Sequence, residues 1–281
     1  MDTLQPFIFE HASIRGALVH LQQASAIILN QRPYPPLIKT LLHEALMACT
    51  LLAGSLKFSG AIHLQFHGDT HIPLMLVQCT SELKLRGFAK YNAASDVIDY
   101  EQAFLNGHLV LVIDQDNHHE KHQSIVPIRS TNMAQNLMYY FAQSEQIRTY
   151  IAFASHENQA AGMLLQLMPE KSSVEHEQFW EYAIRIGETI TPSELLNLDN
   201  ETLLHRLYHE TTLRLFPEKS ITFSCRCDHE KMKQVLHTLG QADAEQLLEE
   251  QGQIAVTCDF CNKQHVFDSI DIALLFKRPP H

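Results

Sequence analysis

Cys225-Arg226-Cys227 and Cys258-Asp259-Phe260-Cys261 hold four of the chain's six cysteines, with residues 228–257 between them. Two close thiol pairs brought together make a tetrahedral, four-sulfur site for Zn²⁺, the closed coordination of structural zinc. Zinc ribbons mostly leave two residues between the ligands of each pair, whereas the first pair here encloses only Arg226. Asn262 follows the second pair where glycine is frequent, and asparagine tolerates the left-handed backbone that such a turn needs. Four thiolates leave no vacant position for water, so an open catalytic zinc is disfavoured. On spacing alone a passive staple is the ordinary reading. The short first pair tilts the site towards redox chemistry, because thiols so close in sequence oxidise without a large search.

The cysteines sit in a tail, residues 219–281, whose apolar material is thin: Phe223, Leu236, Leu239, Ile254, Phe267 and Ile272 are among its larger side chains. At this size one hydrophobic core is barely sufficient. A structural zinc contributes about 10–16 kcal/mol of apparent folding free energy in small modules. Whole domains are stable by only about 5–15 kcal/mol, so metal and fold of this tail are expected to stand or fall together.

Ahead of the tail, residues 174 to about 218 carry three short helical patterns and no strand signal. Thr191-Pro192-Ser193-Glu194 is a helix start, with Thr191 capping, Pro192 in the first turn and Glu194 bonding back. Leu203, Leu204, Leu207 and Tyr208 form one apolar stripe, which core packing explains. Helices this short persist only when docked on something. A polar break, Glu170–Ser173, separates them from residues 1–171, which read as one mixed domain. There Ile62, Leu64 and Phe66 alternate with His63, Gln65 and His67, and Leu83, Leu85, Ala89 and Tyr91 alternate with Lys84, Arg86 and Lys90. Apolar runs at Leu74–Cys79, Leu109–Ile113, Tyr150–Ala154 and Met163–Met168 predict buried strands, and Pro36–Lys57 and Asn132–Gln143 carry helical period. Helices and adjacent strands mix without regular alternation. The expected fold class is therefore α+β, with a mixed N-terminal domain (1–171), a helical linker (172–218) and a small zinc-binding domain (219–281).

Composition excludes several functions. A net charge of −11 without any dense Lys/Arg stripe argues against nucleic acid. None of the ten glycines falls in a phosphate-cradling loop. No apolar run reaches the roughly 18 residues of a membrane span; the best candidate, Leu41–Leu56, is interrupted by His43 and Glu44. The N-terminus lacks a basic head before an apolar core, so no secretory signal is expected, and cysteines kept inside the cell are reduced by default. Cys49 and Cys79 lie in apolar patterns and read as inert buried thiols. His119-Glu120-Lys121-His122 is one residue short of the zinc-protease spacing, and the Asn117–His122 stretch reads as a solvated hairpin loop. No serine elbow or paired carboxylates stand out, so no enzyme is expected.

Taken together, the chain resembles the redox-regulated, 33-kilodalton heat-shock chaperone of bacteria, a zinc-dependent holdase. The cysteine pattern carries the resemblance, with Phe223 beside it. Ile14-Arg15-Gly16-Ala17-Leu18-Val19, Tyr34-Pro35-Pro36, Leu56-Lys57-Phe58, Arg86-Gly87-Phe88-Ala89, Tyr140-Phe141, Ser144-Glu145-Gln146, Ala160 to Gln166 and Leu207-Tyr208-His209-Glu210 extend it over essentially the whole chain. Arg148 and Asn262 stand where the family leads us to expect Pro and Gly, and Arg226 where a small or polar residue is common. The resemblance implies a cytoplasmic, ATP-independent chaperone, inactive when reduced and loaded with one Zn²⁺. It implies that Cys225, Cys227, Cys258 and Cys261 are both zinc ligands and redox centres, oxidising to Cys225–Cys227 and Cys258–Cys261 disulfides. It further implies binding of unfolded client proteins, commonly as a homodimer, with neither nucleic acid nor membrane as partner. Two other classes compete: a constitutive binding module with a purely structural zinc, and a zinc hydrolase using the His118–His122 region.

Overall fold

In the computed structural model, which describes residues 2–92, 100–115, 122–169 and 174–277, the chain falls into two units, 1–224 and 225–281. The first unit opens with a hairpin, β1 (Thr3–Phe9) and β2 (Ile14–Leu21), in register Phe7↔Gly16. Gly16 is required there because any side chain would run into the Phe7 ring. A short helix α1 (Gln23–Leu29) follows, its free N-terminal amides satisfied by the Asp2 carboxylate, which accepts from Gln23 N at 2.9 Å and Ala24 N at 2.6 Å.

The central helix α2 (Pro36–Ser55) starts on a proline in its first turn, as expected, and buries 13 of its residues. By length and composition it is apolar enough to span a membrane, with mean hydropathy 1.4, contrary to the sequence expectation; 72% of that window is buried, so it is a core helix. The two polar residues that interrupt it are satisfied inside the fold. His43 Nε2 lies 2.7 Å from Ser25 Oγ, and Glu44 Oε2 accepts from Met133 N at 2.8 Å.

A second sheet contains β3 (Gly60–His67), β4 (Leu74–Thr80) and β5 (Lys84–Lys90), then, after α3 (Tyr100–Leu105), β6 (His108–Gln115) and β7 (His122–Val126). The alternation read from the sequence holds: Ile62, Leu64 and Phe66 are buried, while His63, Gln65 and His67 are half-buried. Of Asn117–His122, only His122 lies within the described residues, exposed at the start of β7. The helix α4 (Met133–Tyr140), capped by Asn132 accepting from Gln135 N at 3.0 Å, runs into a π-helical turn at Phe141–Glu145.

β8 (Thr149–His156) and β9 (Gln159–Leu167) return to the first sheet. The linker residues supply α5 (Val174–Gly187), α6 (Pro192–Asn197) and α7 (Asn200–Tyr208), the three helices expected. They also supply a strand that the sequence reading lacked, β10 (Leu213–Leu215), which pairs with β1. Two short strands close the unit: β11 (Lys219–Ser220) on β1 and β12 (Thr222–Phe223) parallel to β5. The first sheet thus runs β10-β1-β2-β9-β8, with β11 also on β1; the second runs β12-β5-β4-β3-β6-β7.

The first sheet is buried on both faces. Ala17, Val19, Leu21 and Leu164 belong to the large core around α2, while Ile14, Leu18, Met163 and Leu165 join a separate cluster with the linker helices. The second unit is smaller: α8 (His229–Leu239), α9 (Gln241–Gln251), a hairpin of β13 (Ile254–Thr257) and β14 (Gln264–Phe267), and α10 (Ser269–Lys277). Among the described residues, its apolar core cluster consists of Leu236, Ala244, Ile254, Phe267 and Ile272. The mixed architecture is α+β, as expected.

Candidate metal centre

The two cysteine pairs come from different local structures of the second unit. Cys225 and Cys227 lie in a segment without regular secondary structure that ends where Asp228 caps α8, accepting from Lys231 N at 2.7 Å. The Lys231 ammonium donates to Arg226 O at 2.9 Å, pinning the backbone between the two thiols, while the Arg226 side chain is exposed. Cys258 and Cys261 sit on the turn joining β13 to β14. That turn is closed by Cys258 N donating to Lys263 O and Asn262 N to Cys258 O, both at 2.9 Å. Asn262 adopts φ 57°, the left-handed conformation anticipated for it.

The four sulfurs all lie within 4.8 Å of one another. Cys225 Sγ is 3.6 Å from Cys258 Sγ, and Cys227 Sγ is 3.2 Å from Cys261 Sγ. A metal–sulfur bond of about 2.3 Å in a tetrahedron sets sulfur–sulfur edges of roughly 3.8 Å. The cluster therefore fits one tetrahedral ion with shifts of a fraction of an ångström, and its all-thiolate donor set suits a soft or borderline cation. The thiols themselves point the same way. Burial raises Cys258 and Cys227, and at Cys227 the neighbouring thiols raise it further. At Cys225 burial also raises, but hydrogen bonds from Cys227, Cys261 and Cys258 outweigh it and lower that thiol. Four thiolates cannot ionise together at this spacing unless a cation offsets their repulsion. Among the described residues this is the one cluster of three or more His, Cys, Asp or Glu ligand atoms close enough to share an ion.

Cys49 and Cys79 are elsewhere, both buried in the first unit. Burial pushes the Cys79 thiol up to about 12 and raises Cys49, which donates to Ile62 O at 3.3 Å. Neither offers a thiolate near neutral pH.

The stripe Leu203, Leu204, Leu207 and Tyr208 is docked, not exposed: it packs against Phe7, Phe9, Ile14 and Leu18 on the outer face of the first sheet. Phe9 is the hub, with ring centroids 5.0 Å from Tyr208 and 5.4 Å from Phe179. The Tyr208 hydroxyl donates to Ala183 O at 2.9 Å, tying α7 to α5. The capping box at Thr191 and Glu194 forms as expected. Sequence reasoning missed other anchors of this contact: Phe9 on β1, Trp180 on α5, and Arg148 just ahead of β8. Arg148 pairs with Glu177 of α5 and lies 5.5 Å from the Trp180 ring. The 3.6-residue period of Phe179, Trp180, Ala183, Ile184 and Gly187 was the available signal for α5.

A family model described as Hsp33 protein matches residues 2–268. A 33 kDa chaperonin of Pseudomonas aeruginosa is 40% identical over 281 residues, covering 98% of this chain and 94% of the relative. One from Pseudomonas syringae is 39% identical, again covering 98% and 94%. The crystal structure of a 33 kDa chaperonin from Thermotoga maritima, a heat shock protein 33 homolog, superposes with a TM-score of 0.82 at 23% identity, covering 98% of each chain.

Proposed function

The chain belongs to the Hsp33 family, and on that premise we propose that it is a redox-regulated, ATP-independent chaperone that holds unfolding proteins once its cysteines oxidise. One observation carries the reading: four sulfurs within 4.8 Å occupy a unit whose own core cluster has, among the described residues, five buried apolar side chains. Cys225, Cys227, Cys258 and Cys261 would hold a single Zn²⁺, which when bound supplies a closed cross-link between the irregular segment before α8 and the β13–β14 turn.

Oxidation removes that ligand set. Each pair of sulfurs, held as thiolates, gives two electrons to a peroxide-class oxidant; one S–S bond forms, the peroxide O–O bond breaks, and two protons from solvent complete the two waters released. The pairing proposed is Cys225–Cys227 and Cys258–Cys261, each within one short segment; the nearest sulfurs run across these pairs, and the 4.8 Å limit embraces every combination. Without its cross-link the second unit loses most of what stabilises it. Cys225 follows directly on residues 222–224, which are stitched to β5, so melting of the tail is transmitted along the chain to the end of the linker. Undocking of α5–α7 then uncovers Phe9, Leu18, Met163 and Leu165 together with the Leu203–Tyr208 stripe, an apolar surface able to bind unfolded clients.

In functional terms the parts are a chaperone core (1–171), a linker (172–218) and a redox-switch domain (219–281). The active form is proposed to be a cytoplasmic homodimer without enzymatic activity. The test is to follow metal release, free thiols and suppression of client aggregation together during peroxide treatment, without ATP. Activity should rise with loss of four thiols and one zinc per chain. Equal activity in reductant and oxidant would instead identify a constitutive binder with a structural metal.

A further inference from the structure

Resting on the reading of residues 172–218 as a releasable cover, we propose that His20, Asn200 and Glu218 form a polar latch that sets how readily the cover detaches. His20 lies on β2 and shares the linker-facing side of that strand with Ile14 and Leu18. Its Nε2 is 3.1 Å from Asn200 Oδ1, at the first residue of α7, 180 positions away. Asn200 Nδ2 in turn donates to Glu218 Oε1 at 2.8 Å. One chain of hydrogen bonds thus gathers the start of α7 and the return segment before β11 onto a single strand of the core. Because the amide nitrogen serves Glu218, the oxygen faces His20, and the imidazole donates from Nε2–H as the neutral tautomer.

The surroundings explain why these bonds matter. The joint borders a cavity of about 290 Å³ lined by Thr3, His20, Gln159, Leu196, Leu198 and Asn200, among others. The pocket opens to solvent, so side chains lining it make fewer packing contacts than those in the closed core. Elsewhere the cover is held by apolar packing, by β10 pairing with β1 and by the Arg148–Glu177 pair; at this joint the side-chain hydrogen bonds run through His20, Asn200 and Glu218. Asn200 is 6% exposed, so losing a partner leaves a buried amide unsatisfied in the docked state, whereas in the released state water satisfies it.

Titration makes the latch conditional. Burial lowers the His20 pKa and the amino-terminal charge lowers it too, against the Asn200 hydrogen bond and the Glu218 charge, which raise it. Two further acids line or flank the joint: Asp2, engaged with the amides of Gln23 and Ala24, and Asp199, which caps α7 by accepting from Thr202 N. With the docked pKa below that of free histidine, the released state takes up the proton first. Docking strength is complete above the free-histidine range and declines as pH falls through it.

The test uses the full-length, reduced, zinc-loaded protein and reads protease cleavage within residues 188–218 by mass spectrometry. Asn200→Ala should be cut about tenfold faster at pH 7.5, the scale of one lost buried hydrogen bond, while zinc content and the melting of the core stay unchanged. His20→Gln keeps a donor without a titrating charge. It should match the unmodified protein at pH 7.5 and lose the acceleration that the latter shows towards pH 5.5. Unchanged protection in Asn200→Ala, or a retained pH slope in His20→Gln, overturns the latch. If oxidised, warmed unmodified protein stays as resistant as reduced protein, the cover reading itself fails and the latch with it.

Discussion

Stripping the metal from the reduced protein with a chelator, leaving all four thiols free, isolates the contribution of the cross-link. Among the described residues of the second unit, Leu236, Ile254, Phe267 and Ile272 are the large apolar side chains buried in its core. At about 1.5–3 kcal/mol each they contribute together on the order of 6–12 kcal/mol, no more than the roughly 10–16 kcal/mol a structural zinc supplies. The unit cannot lose half of its favourable terms and stay folded against the entropy of its ordered residues. Oxidation restores only a little: closing loops of three and four residues returns roughly 1.6 and 1.9 kcal/mol in the chain-entropy account. The net deficit is then at least about 6 kcal/mol, beyond the roughly 5.5 kcal/mol that inverts a 99:1 population. Hydrogen exchange reads this directly. Amides of the β13–β14 register, Ile254↔Phe267 to Thr257↔Gln264, should lose protection on chelation, while those of the β3–β6 ladder keep theirs. A hairpin that stays protected after complete demetallation refutes the reasoning, whatever happens to chaperone activity.

Two further outcomes are expected. Leu204→Ala removes a side chain 1% exposed in the linker cluster and should weaken docking by about 2–5 kcal/mol, raising apolar-dye binding in reductant with zinc still in place; dye binding no higher than in the unmodified protein contradicts the docking role. Burial raises the Glu44 carboxyl to about 7, against a lowering hydrogen bond from Met133 N, so the folded first unit holds that proton more tightly than the unfolded chain and stability declines as pH rises from about 4.5 towards 7. Glu44→Gln should therefore flatten the fall in Tm between pH 5 and pH 8, by about 2–4 °C per kcal/mol involved, and an undiminished fall contradicts the assignment.

What was legible in the sequence followed the locality of its physical cause. β3 alternates because its outer face carries the half-buried His63, Gln65 and His67, so the two-residue period survives. β2 hides the same period because both of its faces are covered, by α2 on one side and the linker on the other; Ala17, Leu18 and Val19 are all buried. β10 spans three residues, too few for any pattern, and exists through its pairing with β1, some two hundred positions earlier in the chain. The cysteines were readable because metal ligands arrive in short pairs, and Asn262 because its positive φ is a local requirement of the turn. His20 and Asn200 left no such trace: the contact joins residues 180 positions apart, and each alone reads as an ordinary polar residue.

That division bears on how the switch is set. Under the proposed mechanism, the apolar groups that hold the cover, Phe9, Leu18, Met163 and Leu165 on the sheet and Leu203, Leu204 and Tyr208 on α7, are those that clients would meet after release. Enlarging this surface strengthens docking and client binding together, since both scale with the same buried area. The threshold for release therefore cannot be tuned through apolar contact without changing client affinity as well. Polar contacts that exist only in the docked state escape this constraint: Arg148 with Glu177, and His20 with Asn200 and Glu218, hold the cover closed yet offer little to an unfolded apolar segment. The cysteine cluster is a third such element, with no residue in the apolar surface that clients would meet, and it responds to oxidant. An arrangement of this kind lets the chain adjust when it opens separately from how strongly it binds.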